Sequence, residues 1–217
     1  KIKEKSQKKG MFEEIESYGY HYSFKNFFIR LLMVWGIMGV AAYFYSLKII
    51  PIIILAILCT VFTPLMIKAQ FRYKHEHDKF DDVADYLQQL GTSFLKTKKI
   101  RNSLEEVAYI LKGRRIYDTL MQAIDYIDNE HSDTLFEDAF AIIEKEYGCE
   151  KMKALHKFLI KVEKEGGAFE STLSLMMSDI QVWIQRTYIY QGRRKSTHTA
   201  ILMGIIMSLI MCGVLNN

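Results

Sequence analysis

The cluster with the clearest chemical content is His75-Glu76-His77-Asp78. Two imidazoles beside two carboxylates could hold a metal ion or accept a phosphoryl group. Positions 75 and 77 point to different sides of a helix, so they make a poor ligand pair. The plainer reading is a solvated helix start, where Glu76 and Asp78 suit the positive end of the helix dipole. A second group is basic: Lys98, Lys99 and Arg101, with Arg114 and Arg115, are candidates for binding an acidic partner. Ordinary surface charge is the competing reading for these cations. It also accounts for the acidic pairs Asp81/Asp82, Glu105/Glu106 and Asp125/Asp128 as solvated faces.

Other chemistry is missing from the sequence. No G-x-x-x-x-G-K-[ST] loop, H-E-x-x-H or paired C-x-x-C occurs. No Ser, Cys or Thr sits in a recognisable nucleophile setting. The three cysteines, Cys59, Cys149 and Cys212, have no metal or disulfide spacing. No catalytic residue, cofactor or metal site is read, and a non-enzymatic protein is expected. Formal net charge is +4. Residues 68–198 hold 21 charges of each sign, so that segment lacks the basic surplus of a nucleic-acid binder.

The elements that position these residues begin with three uncharged apolar runs, Leu31–Leu47, Ile49–Ile67 and Thr199–Leu215. As helices they reach roughly 26–29 Å, close to the hydrocarbon thickness of a bilayer. The first two join through Ser46, Leu47 and Lys48, predicting a tight helical hairpin. Lys25 and Arg30 precede the first run, Lys68, Arg72 and Lys74 follow the second, and Arg193, Arg194 and Lys195 precede the third. The positive-inside rule then places the N-terminus and residues 68–198 in the cytoplasm. The spans lack ionisable groups at depth, which argues against an ion-coupled transporter. Opening on Lys1 rather than Met, the chain reads as a piece of a longer polypeptide, and no cleavable signal peptide is evident.

Apolar spacing of three and four predicts about six helices over 76–198. The first carries Phe80, Val83, Ala84, Leu87, Leu90, Gly91, Phe94 and Leu95, with Asp81, Asp82, Asp85, Gln88 and Gln89 opposite. A break at Thr97-Lys98-Lys99 precedes a start at Ser103, with Glu106 completing a capping box. Lys112-Gly113-Arg114 closes the second helix, and Ile116 to Ile127 forms the third. Ser132 or Asp133 caps the fourth, and Gly148 ends it. The fifth stops at Gly166-Gly167, and the sixth runs on toward the last apolar run. Short connections predict an antiparallel bundle. The expected fold is all-α: three membrane helices and a six-helix antiparallel cytoplasmic bundle. The corresponding segments are 1–26 (cytoplasmic), 27–67 (membrane hairpin), 68–198 (helical domain) and 199–217 (closing span).

This layout resembles the type II secretion F-domain family, in particular the inner-membrane platform proteins of Tad-type pili. The residues that carry the resemblance are FDDVADYLQQLGTSFLKTKKIRNSLEEVA (Phe80–Ala108) and LHKFLIKVEKEGGAFESTLSLMMSDI (Leu155–Ile180), followed by RRKS (Arg193–Ser196). Thr97-Lys98-Lys99 departs from the pattern, since relatives tend to place a small residue or glycine at this turn. The resemblance implies a subunit of the cytoplasmic membrane that contacts a hexameric secretion-type ATPase. It further implies oligomers, a sister platform protein and pilin subunits as partners, with energy supplied by the ATPase. An alternative is a fragment of a membrane sensor histidine kinase with His75 or His77 as phosphoacceptor. That reading requires a nucleotide-binding domain where the chain instead enters its last apolar run.

Overall fold

The computed structural model describes residues 11–44 and 49–215 of the 217. Of these, the side chains of residues 41, 44, 49, 51, 52, 55 and 194–215 are not described. The protein is all-α: among the described residues there are eight helices and no strand. They are α1 (Met11–Ser17), α2 (Phe24–Phe44), α3 (Ile49–Thr97), α4 (Ile100–Ile110), α5 (Ile116–Asn129), α6 (Leu135–Tyr147), α7 (Glu150–Glu165) and α8 (Glu170–Leu215). The chain divides into two compact units, one of Lys1–His77 with Thr197–Asn217 and one of Asp78–Ser196.

In the first unit α2 and the early part of α3 are cross-linked by side chains. Trp35 Nε1–H donates to Thr60 Oγ1 at 3.3 Å, and Arg30 Nη1 donates to Gln70 Oε1 at 2.8 Å. Lower numbers on α2 meet higher numbers on α3, as an antiparallel pair requires. The Thr60 and Thr63 hydroxyls donate back to Ala56 O and Cys59 O, so both find partners within their own helix. The hairpin tip at Ser46, Leu47 and Lys48 lies outside the described residues, as do residues 1–10. Helix α1 is anchored by Ile15, which is wholly buried, and by an ion pair from Lys68 to Glu14.

Among the described residues no helix is long and apolar enough to cross a membrane. Of the three expected spans, side chains 41, 44–49, 51, 52 and 55 in or between the first two and all those of the third lie outside the described ones.

The second unit is a helical bundle with one continuous core. Helix α4 packs on α5, α5 on α6, α6 on α7, and α7 returns to α4. Leu87, Leu90 and Phe94 of α3 enter that core beside Leu173, Ile180 and Ile184 of α8. Gly91 marks a close approach between these two helices, because a Cβ there would run into Met177 Sδ. The turn between α7 and α8 needs Gly166 (φ 71°, ψ −156°), a region closed to residues with a Cβ.

Several local expectations are corrected. The first bundle helix does not begin anew near residue 76, because α3 runs unbroken from Ile49 to Thr97, passing through Pro64. Helix α4 begins at Ile100, and Ser103 with Glu106 forms no capping box. Ser103 Oγ instead donates back to Lys99 O, and Glu106 accepts from Ser93 and Lys96. Thr134 rather than Ser132 or Asp133 occupies the N-cap of α6, without a side-chain cap bond. Asp82 is buried, not solvated, because Arg114 reaches over to it from the α4–α5 connection.

Candidate functional site

The most distinctive polar arrangement is one that periodicity alone does not single out. Tyr86 of α3, Glu144 of α6 and His156 of α7 form a chain through the bundle interior. His156 is 1% exposed and Tyr86 is fully buried. His156 Nδ1 lies 2.7 Å from Glu144 Oε1, and its Nε2 lies 2.8 Å from Tyr86 Oη. A carboxylate only accepts, so Nδ1 carries the hydrogen and Nε2 accepts from the tyrosine hydroxyl. The neutral imidazole is then fully satisfied. Its face stacks on Phe140, with centroids 3.8 Å apart and planes 8° from parallel.

Helical spacing places the ring there. His156 stands four residues after Met152 and four before Ile160, on the buried face of α7. That spacing was the available sequence signal: a histidine inside an apolar stripe must find polar partners from other helices.

Burial lowers the pKa of His156 because the imidazolium is costly away from water; the hydrogen bond and charge of Glu144 pull partly the other way. The Glu144 carboxyl is lowered, chiefly by the hydrogen bond from His156. Tyr86 is raised well above the ordinary phenol range by burial. Tyr86 and His156 are closed to solvent, and the group acts as a polar clasp on three helices.

The basic candidates separate into two groups, at the two ends of α4. At the α3–α4 turn Lys98 adopts a left-handed conformation (φ 55°), unusual for a residue with a side chain. Its ammonium pairs with Glu170 at 3.1 Å and sits 5.6 Å from the centre of the Phe169 ring. Lys99 pairs with Glu163 at 3.6 Å. Arg101 forks onto Asp128, with bonds of 2.9 and 3.0 Å, and also bonds Glu105. At the α4–α5 connection Arg114 bonds Asp85 at 2.6 Å and approaches Asp82 at 3.5 Å. Asp82 is raised by burial, with Arg114 and Arg115 opposing. Lys98, Lys99, Arg101 and Arg114 therefore cross-brace the bundle's own helices, a role that spacing along the sequence does not reveal.

His75 and His77 both lie on α3 within the first unit. The His75 ring stacks on Tyr18 at 4.8 Å, and His77 on Tyr73 at 6.3 Å. Among the described residues no three His, Cys, Asp or Glu side chains come together as a metal site. An open groove of about 560 Å³ between α5 and α6 is lined by Thr119, Gln122, Ile142, Lys145 and Glu146, and Thr119 already donates to Glu146 at 2.8 Å.

Comparison with models of known protein families, with curated proteins and with solved structures finds no match to this chain.

Proposed function

We propose that this chain is an inner-membrane platform subunit of a type IV filament, Tad-like pilus or type II secretion machine, which couples a cytoplasmic ATPase to pilin assembly. The observation that carries the reading is the surface of the first unit. Leu32, Met33, Ile37 and Val40 on α2, and Ile53, Ile54, Ile57, Val61, Phe62, Leu65 and Met66 on α3, each leave more than half of their surface open. Soluble monomers rarely expose contiguous apolar patches beyond roughly a few hundred Å². A bilayer is the solvent that accommodates these side chains, with backbone groups paired inside the helices and hydroxyls such as those of Thr60 and Thr63 bonded to them.

The order of elements supports the same reading. The chain enters the bundle through α3 and leaves through α8, and each of these helices also contains an apolar run. No phosphate-binding loop accompanies the bundle, so the work of assembly falls to a partner ATPase. A sister platform protein and pilin subunits complete the proposed assembly, with the Asp78–Ser196 bundle in the cytoplasm.

Cys149, at the α6–α7 turn, is a native probe of this topology. In full-length protein with Cys59→Ala and Cys212→Ala, a membrane-impermeant maleimide should label Cys149 in lysed but not intact cells. Labelling in intact cells, or release of the chain from membranes by alkaline carbonate, would remove the basis for the proposal. Capture of the neighbouring secretion ATPase by the membrane-embedded chain tests the coupling role, and consistent failure to capture it would refute that role.

A further inference from the structure

The first unit carries a second kind of surface, where cations and aromatic rings alternate. Arg30 on α2 places its guanidinium carbon 5.7 Å from the centre of the Tyr22 ring. Tyr22 meets Phe71 edge-on at 5.0 Å, Phe71 meets Tyr20 at 5.5 Å, and Lys74 Nζ stands 4.7 Å from the Tyr20 ring. Two cations thus bracket an arc of three rings.

The basic residues around this arc fall into two sets. Lys68 and Arg72 are neutralised by Glu14 and Glu76. Arg30 and Lys74 make no ion pair among the described residues; their contacts are with Gln70 and the two tyrosines. The Tyr22 hydroxyl is enclosed and, among the described residues, finds no hydrogen-bond partner. Cations over aromatic faces with no carboxylate beside them keep their charge available to an anion.

Depth identifies the anion. Arg30 directly precedes the apolar run at Leu31, and it bonds Gln70, just beyond the run that ends at Ile67. Lys74 lies one helical turn farther along α3, about 6 Å. A headgroup layer is roughly 5–8 Å thick on each side of the hydrocarbon. The arc therefore spans one such layer. Beside it Phe12, Phe24, Phe27 and Phe28 form a ring cluster, with Phe24 and Phe28 largely exposed. Exposed rings next to cations suit the boundary between headgroups and acyl chains, whereas a soluble anion gains nothing from them.

We infer that Arg30 and Lys74, with the rings of Tyr20, Tyr22 and Phe71, form a binding site for the headgroup of an anionic phospholipid. The inference rests on the membrane reading above and adds the class of lipid. Arg30 and Lys74 supply the positive charge at the two ends of the arc that receives the headgroup.

The test uses full-length protein in nanodiscs of phosphatidylcholine with phosphatidylglycerol at equal charge-matched ionic strength, followed by native mass spectrometry of the released protein. Phosphatidylglycerol should be retained preferentially. Arg30→Gln and Lys74→Gln should each reduce that preference roughly fivefold, while Lys161→Gln on the bundle leaves it unchanged. Equal retention of the two lipids by the unaltered protein would overturn the inference, and this comparison needs no variant to fold. Loss of preference in Lys161→Gln as large as in the site variants would overturn it too. Displacement of the lipid by millimolar inorganic phosphate would identify a soluble anion as the occupant and refute the lipid assignment. Failure of the protein to insert into any bilayer would overturn the membrane reading itself, an outcome distinct from insertion without lipid preference.

Discussion

Glu163 Oε2 accepts the backbone N–H of Ile100 at 2.6 Å, so a carboxylate on α7 caps the start of α4 across 63 positions of sequence. The same carboxylate pairs with Lys99 and is mostly shielded from solvent. An anion at a helix start satisfies an otherwise orphaned donor and meets the favourable end of the dipole.

Glu163→Ala should therefore destabilise the protein by about 1–2 kcal/mol, the range of a lost cap with a stranded amide. Glu163→Gln keeps an acceptor and should recover most of that loss. Thermal unfolding of the full chain, followed by circular dichroism, reads the difference. Equal loss in both variants would assign the effect to charge rather than to the cap.

The His156 clasp predicts acid sensitivity with a defined sign. Burial holds the folded-state pKa of His156 below its ordinary 6.5. Between those two values the unfolded chain binds more protons, so stability is full above 6.5 and is lost as pH falls from there through the folded-state value. Glu144, also lowered, contributes in the same direction below its ordinary 4.5. The melting temperature should decline on acidification from about pH 7 to about pH 5. In His156→Phe this part of the slope should vanish, while stranding Tyr86 and Glu144 costs roughly 1–3 kcal/mol at neutral pH. An unchanged melting temperature across that window in the unaltered protein would contradict the burial argument.

Gly91 and Met177 should behave as a coupled pair. Gly91→Val forces the Met177 side chain off α3, and overpacking of this kind costs about 1–3 kcal/mol. Met177→Ala in the same chain opens room for the new side chain and should recover part of the loss. A double-mutant cycle measures the coupling, and strict additivity would show that the two side chains do not compete for the same space.

Trp35 and Thr60 supply a prediction for the helical hairpin. Thr60→Val removes the acceptor of the indole N–H and should cost about 0.5–1.5 kcal/mol; Trp35→Phe added to it should cost little further in hydrogen bonding. Heat stability of the chain in a mild detergent, with tryptophan emission as a second readout, checks this. A neutral Thr60→Val would show that the bond does not hold the hairpin together.

What the sequence made legible was periodic. Leu87, Leu90 and Phe94, or Leu155 and Leu159, stand three and four apart, and that spacing is enough to place one face of each helix in the core. Gly166 was legible for a different reason, since few residues tolerate its backbone angles. The misplaced features depend on partners distant in the chain. Ser103 and Glu106 have the spacing of a local cap, but the cap comes from Glu163, which no window around α4 contains. Asp82 reads as solvated beside Asp81 until Arg114 is brought over it. The same holds for the cations at 98, 99, 101 and 114, whose partner carboxylates mostly lie on other helices. His156 sits in view on an apolar stripe, but its meaning requires Tyr86 and Glu144, 70 and 12 positions away.

The Tyr86–His156–Glu144 chain also restricts how α7 can slide. Hydrophobic faces tolerate axial slippage, since one aliphatic side chain replaces another at little cost. A shift of α7 by one turn, about 5.4 Å, would bring Met152 or Ile160 opposite Tyr86 and Glu144. Neither can accept from a phenol or donate to a carboxylate. Among the settings one turn apart, only the observed one lets both polar groups find their match, so a single imidazole fixes the longitudinal phase of its helix against two neighbours.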